Sequence, residues 1–420
     1  MTGRLATLLV VATASIGCGA APGPNLAAPD DARLAPPMTG ADLEPTGPEP
    51  EPTGPEPEPE RIGTATAVGS TRERPPQDDP TTTAAPARSA TLAFTGDTLA
   101  HSPLWRRAQA DHGGNGYDFA PMFADIAPIV SAADLAVCHL ETPIAPDGEE
   151  FSTDPLYGVP LEIVSAMAGA GFDRCSTASN HALDRYGRGI DRTIEVLESN
   201  GMGQTGMARN QSEALPSVFV VNGIAMTHLS YTYATNGIPP PDGEPWRINY
   251  IDAPRIVADA RDARELGAEF VFASMHWGTE GVEAPNDQQR AIAEAITVDG
   301  HVDLVVGHHA HVLQPIEQLN DVWVAYGLGN ILSNLPVNDS WPASTQDAAV
   351  VEFAITVDGS GLVTVDRPLV HPTWVDKNNG WVIRDVGASL TDPTIGDGRR
   401  GELERSRDRT ADVLGAYLVR

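Results

Sequence analysis

Val305–Glu317 reads VVGHHAHVLQPIE, and its meaning decides what kind of protein this is. Leu304, Val305 and Val306 form a short apolar run of the kind that makes a strand buried on both faces. Gly307 ends the run, and His308, His309 and His311 follow within four positions. Three imidazoles at a strand end seldom serve packing, because histidine titrates near neutrality and is a common metal ligand.

Working outward, other apolar runs end in the same way. Thr91–Thr95 runs into Gly96, Asp97 and His101; Leu135–His139 into His139 and Glu141; Phe172–Ser176 into Asn180, His181 and Asp184; Phe270–Ser274 into His276 and Glu280. In open α/β folds, ligands gather outside the carboxyl ends of the strands, so these five clusters are expected to converge on one site. Singly each has a bland reading: a Gly-Asp pair is often only a turn, and His101 or His139 could be structural. His112, His228, His301 and His371 read as structural. Taken together, carboxylate, amide and imidazole suit a divalent ion such as Mn, Fe or Zn.

Further runs at Val218–Val221, Ile224–Ser230 and Val322–Tyr326 read as strands. Helical spacing of apolar residues marks Phe119–Ser131, Leu161–Ala170, Ile190–Ser199, Pro254–Leu266 and Asp287–Val298. Gly171 and Gly201 stand where C-terminal caps belong. The alternation predicts an α/β sheet stack. Val350–Val357 and Leu362–Val370 are successive strands, which makes a sheet mixed, and Glu402–Leu418 predicts a terminal helix.

The amino terminus is different. Arg4, the apolar run Leu5–Ile16 and the small residues before Cys18 have the layout of a secretory signal peptide. Ser15, Ile16, Gly17 and Cys18 resemble a bacterial lipobox, which implies lipidation of Cys18, export and a membrane-anchored envelope lipoprotein. Residues 19–88 are dominated by Pro, Glu, Thr, Ala and Gly, with EPTGPEP at Glu44–Pro50 and again at Glu51–Pro57. Such a stretch lacks the apolar residues to offset the entropy of ordering and is expected to be an extended tether. Residues 89–420 are then the folded domain. Cys138 and Cys175 sit in apolar runs and read by default as buried free thiols, although export would permit a disulfide. The formal net charge of −30 among 420 residues argues against nucleic acid as a partner.

The segments FTGDTLAHSPL (Phe94–Leu104), HLETPI (His139–Ile144), ASNHALDRYG (Ala178–Gly187), MHWGTE (Met275–Glu280), VVGHHAHVLQPIE and YGLGN (Tyr326–Asn330) occur in the order and rough spacing of the CapA capsule-synthesis family. The chain resembles that family over most of its folded part. The family acts in poly-γ-glutamate capsule synthesis and is similar to the calcineurin-like metallophosphatases. The resemblance implies an α/β/β/α fold, with two facing sheets flanked by helices, and one or two divalent metal ions. It implies Asp97, Glu141, Asn180, His276, His309 and His311 as ligands, with Glu141 in the bridging position. His181 would protonate a leaving group, oriented by Asp184; His101, His139, Glu280 and His308 are further candidates. Departures from the family pattern are His139 for an asparagine, Ser179 for an asparagine, Gly281 for a tyrosine and Gly327 for a serine. The Asp-x-His opening of metallophosphatases is absent too, unless His101 turns inward. Two functions are compatible with this: a metal-dependent hydrolase acting on a phosphoester or polymer bond, and a non-catalytic component that binds or helps export a polymer. The partner is expected to be an envelope polymer or a phosphorylated small molecule.

Overall fold

A computed structural model describes residues 86–419; the expected signal peptide, Cys18 and nearly all of the stretch expected to be a tether lie outside the described residues. Regular structure begins with β1, Arg88–Thr98, and the Arg88 guanidinium pairs with both carboxylate oxygens of Glu269 at 2.6 and 2.7 Å. The chain continues through α1 (Ser102–His112), α2 (Ala120–Phe123), α3 (Ala127–Val130), β2 (Leu135–Leu140), α4 (Glu162–Ala170), β3 (Arg174–Ser176), α5 (Tyr186–Ser199) and β4 (Gly203–Thr205). Then come β5 (Phe219–Val221), β6 (Ile224–Thr232), α6 (Ala253–Glu265), β7 (Phe270–His276), α7 (Asp287–Thr297), β8 (Leu304–His308), β9 (Ile316–Leu319) and β10 (Val322–Ala325). β11 (Asp347–Val357), β12 (Val363–Val365), β13 (Leu369–Asp376), β14 (Val382–Asp385), α8 (Val386–Thr391) and α9 (Asp397–Leu414) complete it.

The strands form two sheets, one ordered β14-β13-β11-β1-β2-β3-β4 with β12 beside β11, the other β5-β6-β7-β8-β10-β9. β1 to β4 are parallel, as are β6, β7, β8 and β10, and the outer strands are antiparallel. Side chains alternate as the pleat requires. Leu92, Phe94, Leu135 and Val137 meet Met226, Phe272, Leu304 and Val306 between the sheets. The intervening Ala93, Ala136 and Cys138 face outward, toward α1 to α4. Ala273 and Val305 on the other sheet face α6 and α7. The fold is therefore the α/β/β/α sandwich that the sequence predicted.

Three local expectations are corrected. Phe119–Ser131 is two short helices, because Pro128 has no N–H to continue the first. Leu362–Val370 is divided into β12 and β13, which lie end to end along β11 on either side of Pro368. Cys138 and Cys175 are not free thiols: they stand opposite each other in the β2–β3 register, on one face, and are joined as a disulfide. Among the described residues, no helix is long and apolar enough to cross a membrane.

Candidate metal centre

Register aligns the polar residues before any side chain is considered. On the first sheet, Asp97 lies opposite His139, and His139 opposite Ser176. β1 spends three residues from Phe94 to Asp97 where β2 spends two, and this bulge turns Asp97 to the inner face shared by Phe94. On the second sheet, Thr232, His276 and His308 form the matching row. The site thus sits between the sheets at the carboxyl ends of their parallel strands.

After β8 the backbone bends sharply. His309 and His311 have φ of 85° and 58°, in the left-handed region that residues bearing a Cβ seldom enter. This bend is what brings both rings of the His-x-His pair inward, since in a continued strand His309 and His311 would point to the face opposite His308. Gly96 and Gly329 allow the neighbouring turn to close: a Cβ on Gly96 would lie 2.0 Å from the Gly329 carbonyl oxygen.

The resulting contacts are short. Asp97 Oδ2 accepts from the His309 amide at 3.0 Å and lies 3.1 Å from His311 Nδ1. His308 Nδ1 is 3.3 Å from Asp97 Oδ1, without hydrogen-bond geometry. Glu141 Oε1 is 3.9 Å from His276 Nε2 and 3.8 Å from His311 Nε2. Asn180 Oδ1 lies 2.9 Å from His276 Nε2. Candidate ligand atoms fall within 4.8 Å of one another in four overlapping groups: Asp97, Glu141 and His311; Glu141, His276 and His309; Asp97, His139 and His308; and Glu280, His309 and His311. All of these residues are buried except Glu280, which is exposed at the mouth. His181 and Asp184 stand beside Asn180, with His181 Nδ1 2.7 Å from Asp184 Oδ2. His101 does not join the cluster. It falls in none of the four groups, and its Nδ1 lies 3.1 Å from the Leu99 carbonyl oxygen and 3.2 Å from the Asn334 amide nitrogen.

Burial is the largest influence on Glu141, Asp97, His309 and His311. It pushes Glu141 well above the ordinary carboxylate range, with Asp97 adding to the effect and His311 opposing it. It also favours a neutral Asp97, but the His308 and His311 imidazoles outweigh it and hold Asp97 below its ordinary range. Burial lowers His309 to about 3. For His311 burial is overcome by Glu141 and Asp97, and the ring is raised to about 9.

Whether these residues suit a cation can be read from what they lack. Both carboxylate oxygens of Glu141, Oδ1 of Asp97 and Nδ1 of His309 are buried with no hydrogen-bond partner. Each such orphan costs on the order of 1–3 kcal/mol, more when charged. One or two divalent ions answer all of them at once, so the donor set fits a metal.

Several contributors carried no signal beyond ordinary turn or strand chemistry. Asn330 accepts from His311 Nδ1 at 2.9 Å, and its amide donates to the carbonyls of His311 and Thr345. Asn236, in a Thr-Asn-Gly turn, contacts Asn180 at 3.3 Å and His181 at 3.4 Å. Tyr233 lies over His309, 4.5 Å between ring centroids. Asn330 closes the quoted YGLGN segment, so position at a strand exit was the one available clue.

Two facing sheets flanked by helices, with histidine, carboxylate and amide groups converging at the strand ends, define a metallophosphatase-like fold with a candidate metal centre. Residues 91–335 match the family model described as bacterial capsule synthesis protein PGA_cap, and the chain belongs to that family. It is similar to the PGA biosynthesis protein CapA of Bacillus subtilis (strain 168), 27% identical over 264 residues, covering 60% of this chain and 65% of that protein. It is also similar to the capsule biosynthesis protein CapA of Bacillus anthracis, 26% identical over 259 residues, covering 60% and 62%. The chain thus spans less than two thirds of the length of these curated relatives. Among solved structures it is similar to the NAD nucleotidase NadN of Haemophilus influenzae, with 12% identity, a TM-score of 0.42, and coverage of 78% of this chain and 64% of that one. The calcineurin-like phosphoesterase YfkN of Bacillus subtilis gives 14% identity, a TM-score of 0.39, and coverage of 77% and 100%.

Proposed function

We propose that this chain works at the bacterial cell envelope, anchored through Cys18, as a metal-dependent hydrolase of a phosphoester or polymer bond in capsule or poly-γ-glutamate synthesis. The observation behind the reading is the convergence of Asp97, Glu141, His276, His309 and His311 from four separate segments into one buried cluster with orphaned ligand atoms. In this reading Asp97, Glu141 and His311 hold one ion of Mn, Fe or Zn, and Glu141, Asn180, His276 and His309 hold a second. Bound there, the ions would supply Lewis acidity and neutralise charge developing at the electrophilic centre. The protein's own contribution is a rigid, largely dry frame and a proton. Asp184 receives the Nδ1 proton of His181, which orients the ring and leaves Nε2 as the nitrogen that can exchange a proton with a leaving group.

The test is metal analysis of the purified full chain together with a hydrolase screen on aryl phosphoesters and poly-γ-glutamate. One or two divalent ions per chain and metal-dependent turnover are expected. His181→Ala should abolish hydrolysis while keeping most of the metal, whereas His309→Ala should lose metal as well. A metal-loaded protein inert toward both substrate classes would overturn the hydrolase reading and favour a non-catalytic polymer-binding or export component.

A further inference from the structure

The ligand set above leaves unused a line of short contacts running sideways from it through the first sheet. His139 Nε2 lies 2.9 Å from His276 Nδ1, and His139 Nδ1 lies 2.8 Å from Ser176 Oγ. Ser176 Oγ is also 3.3 Å from the Cys138 carbonyl oxygen. His139, Ser176 and His276 are at most 1% exposed, so these groups have one another as partners rather than bulk water. Both nitrogens of His139 are thereby engaged. Its ring comes within reach of Asp97 and His308, but as placed it has no free lone pair to give a cation there.

A neutral imidazole carries one proton, on one nitrogen or the other, and the line of contacts ties these choices together. For His276 Nε2 to offer a lone pair beside Asn180 and Glu141, its proton must be on Nδ1, where the partner is His139 Nε2. His139 must then accept at Nε2, carry its own proton on Nδ1 and donate to Ser176. Ser176 completes the line by donating to the Cys138 carbonyl. In the reverse arrangement Ser176 donates to His139, His139 donates to His276, and His276 Nε2–H donates to Asn180 Oδ1. That reverse order blocks the nitrogen that faces Glu141. Every ring stays neutral in both orders; only the side bearing the proton differs.

We infer that His139 is a positioning residue: with Ser176 it fixes the tautomer and orientation of His276 so that Nε2 is free for a divalent ion. This rests on the metal reading above and adds a residue that acts on the ion only through another. Partners of this kind commonly change metal affinity by about 10–100-fold when removed.

Zinc serves as the probe, titrated calorimetrically into metal-stripped full-length protein, with histidine tautomers read by long-range 1H–15N NMR on protein labelled at histidine. In zinc-loaded wild type, His276 should be coordinated through Nε2 with its proton on Nδ1, and His139 should be uncoordinated with its proton on Nδ1. His139→Leu should weaken zinc binding about 10–100-fold. His139→Gln places an amide oxygen near the position of Nε2 and should restore affinity to within about threefold of wild type, if acceptance from His276 is all that is required. A coordinated His139 ring, a proton on His139 Nε2, or His139→Leu binding zinc as wild type does would overturn the inference while leaving the metal site intact. Wild type that binds no zinc would remove both. The wild-type tautomers decide the question even if His139→Leu fails to fold.

Discussion

Asn330 shows how much a single amide can hold. It is fully buried, accepts from the ring of His311 and donates to the carbonyls of His311 and Thr345, so it ties the bend that carries the histidines to the turn before β11. Asn330→Ala strands those carbonyls and releases the His311 ring. A loss of roughly 2–4 kcal/mol is expected from the unsatisfied groups, read as a lower denaturation midpoint, together with weaker metal binding. The sequence made the candidate ligands legible because carboxylates, histidines and Asn180 followed apolar runs. It could not show Asn330, Asn236 or Ser176, since an asparagine in a turn or a serine at a strand end is ordinary and only three-dimensional placement gives it work. His101, whose spacing after Asp97 invited a ligand role, falls in none of the candidate ligand groups.

The strand ends depend on close approach between elements. A Cβ on Gly307, in β8, would lie 1.8 Å from the Tyr326 carbonyl oxygen just beyond β10, and neither backbone can yield without breaking the β8–β10 ladder. Gly307→Ala should destabilise the protein by about 3 kcal/mol or more. Gly169 in α4 has nothing within 4 Å of the same atom, and Gly169→Ala should be neutral or stabilise by up to about 1 kcal/mol. Paired urea titrations of the two variants check the contrast. The β2–β3 disulfide closes a separation of 37 residues, so replacing both Cys138 and Cys175 by alanine should cost about 3–4 kcal/mol on a chain-entropy account. Calorimetric melting of that variant against wild type measures it. Elements with continuous apolar runs, such as β7 and β8, or a clear helical stripe, such as α7, were readable. α1 was not, because it buries only Leu104 and Ala108 and carries Pro103 in its first turn. The short β4, β9 and β14 escaped notice for a related reason: they sit at sheet edges, where pairing rather than composition makes them strands.

For the whole molecule, the sequence divides cleanly in composition, and the described fold occupies the part after the tether. The α/β architecture was legible because apolar runs alternated with helical stripes and ended in like chemistry, whereas the two facing sheets were implied by the family resemblance. How those runs would split between two sheets was not legible, since composition does not say which strand pairs with which. The proposed anchoring has its own check: Cys18→Ala should move the protein from the membrane fraction to the soluble fraction of the cell. Unchanged fractionation, with an unprocessed amino terminus, would rule out lipid attachment at that residue.

Arg88 marks where the preceding segment hands over to β1, and the candidate metal centre lies at the other end of that strand. Nine residue steps from Arg88 to Asp97, at about 3.3 Å each, separate the two by roughly 30 Å. Tension entering at Arg88 would run along β1, which is hydrogen-bonded to β2 on one side and β11 on the other. Such a pull shears many bonds together instead of peeling them one by one, and the ion pair with Glu269 resists it at the point of entry. Force applied at the amino end of β1 is therefore spread over both ladders before it reaches the Asp97 end of the strand.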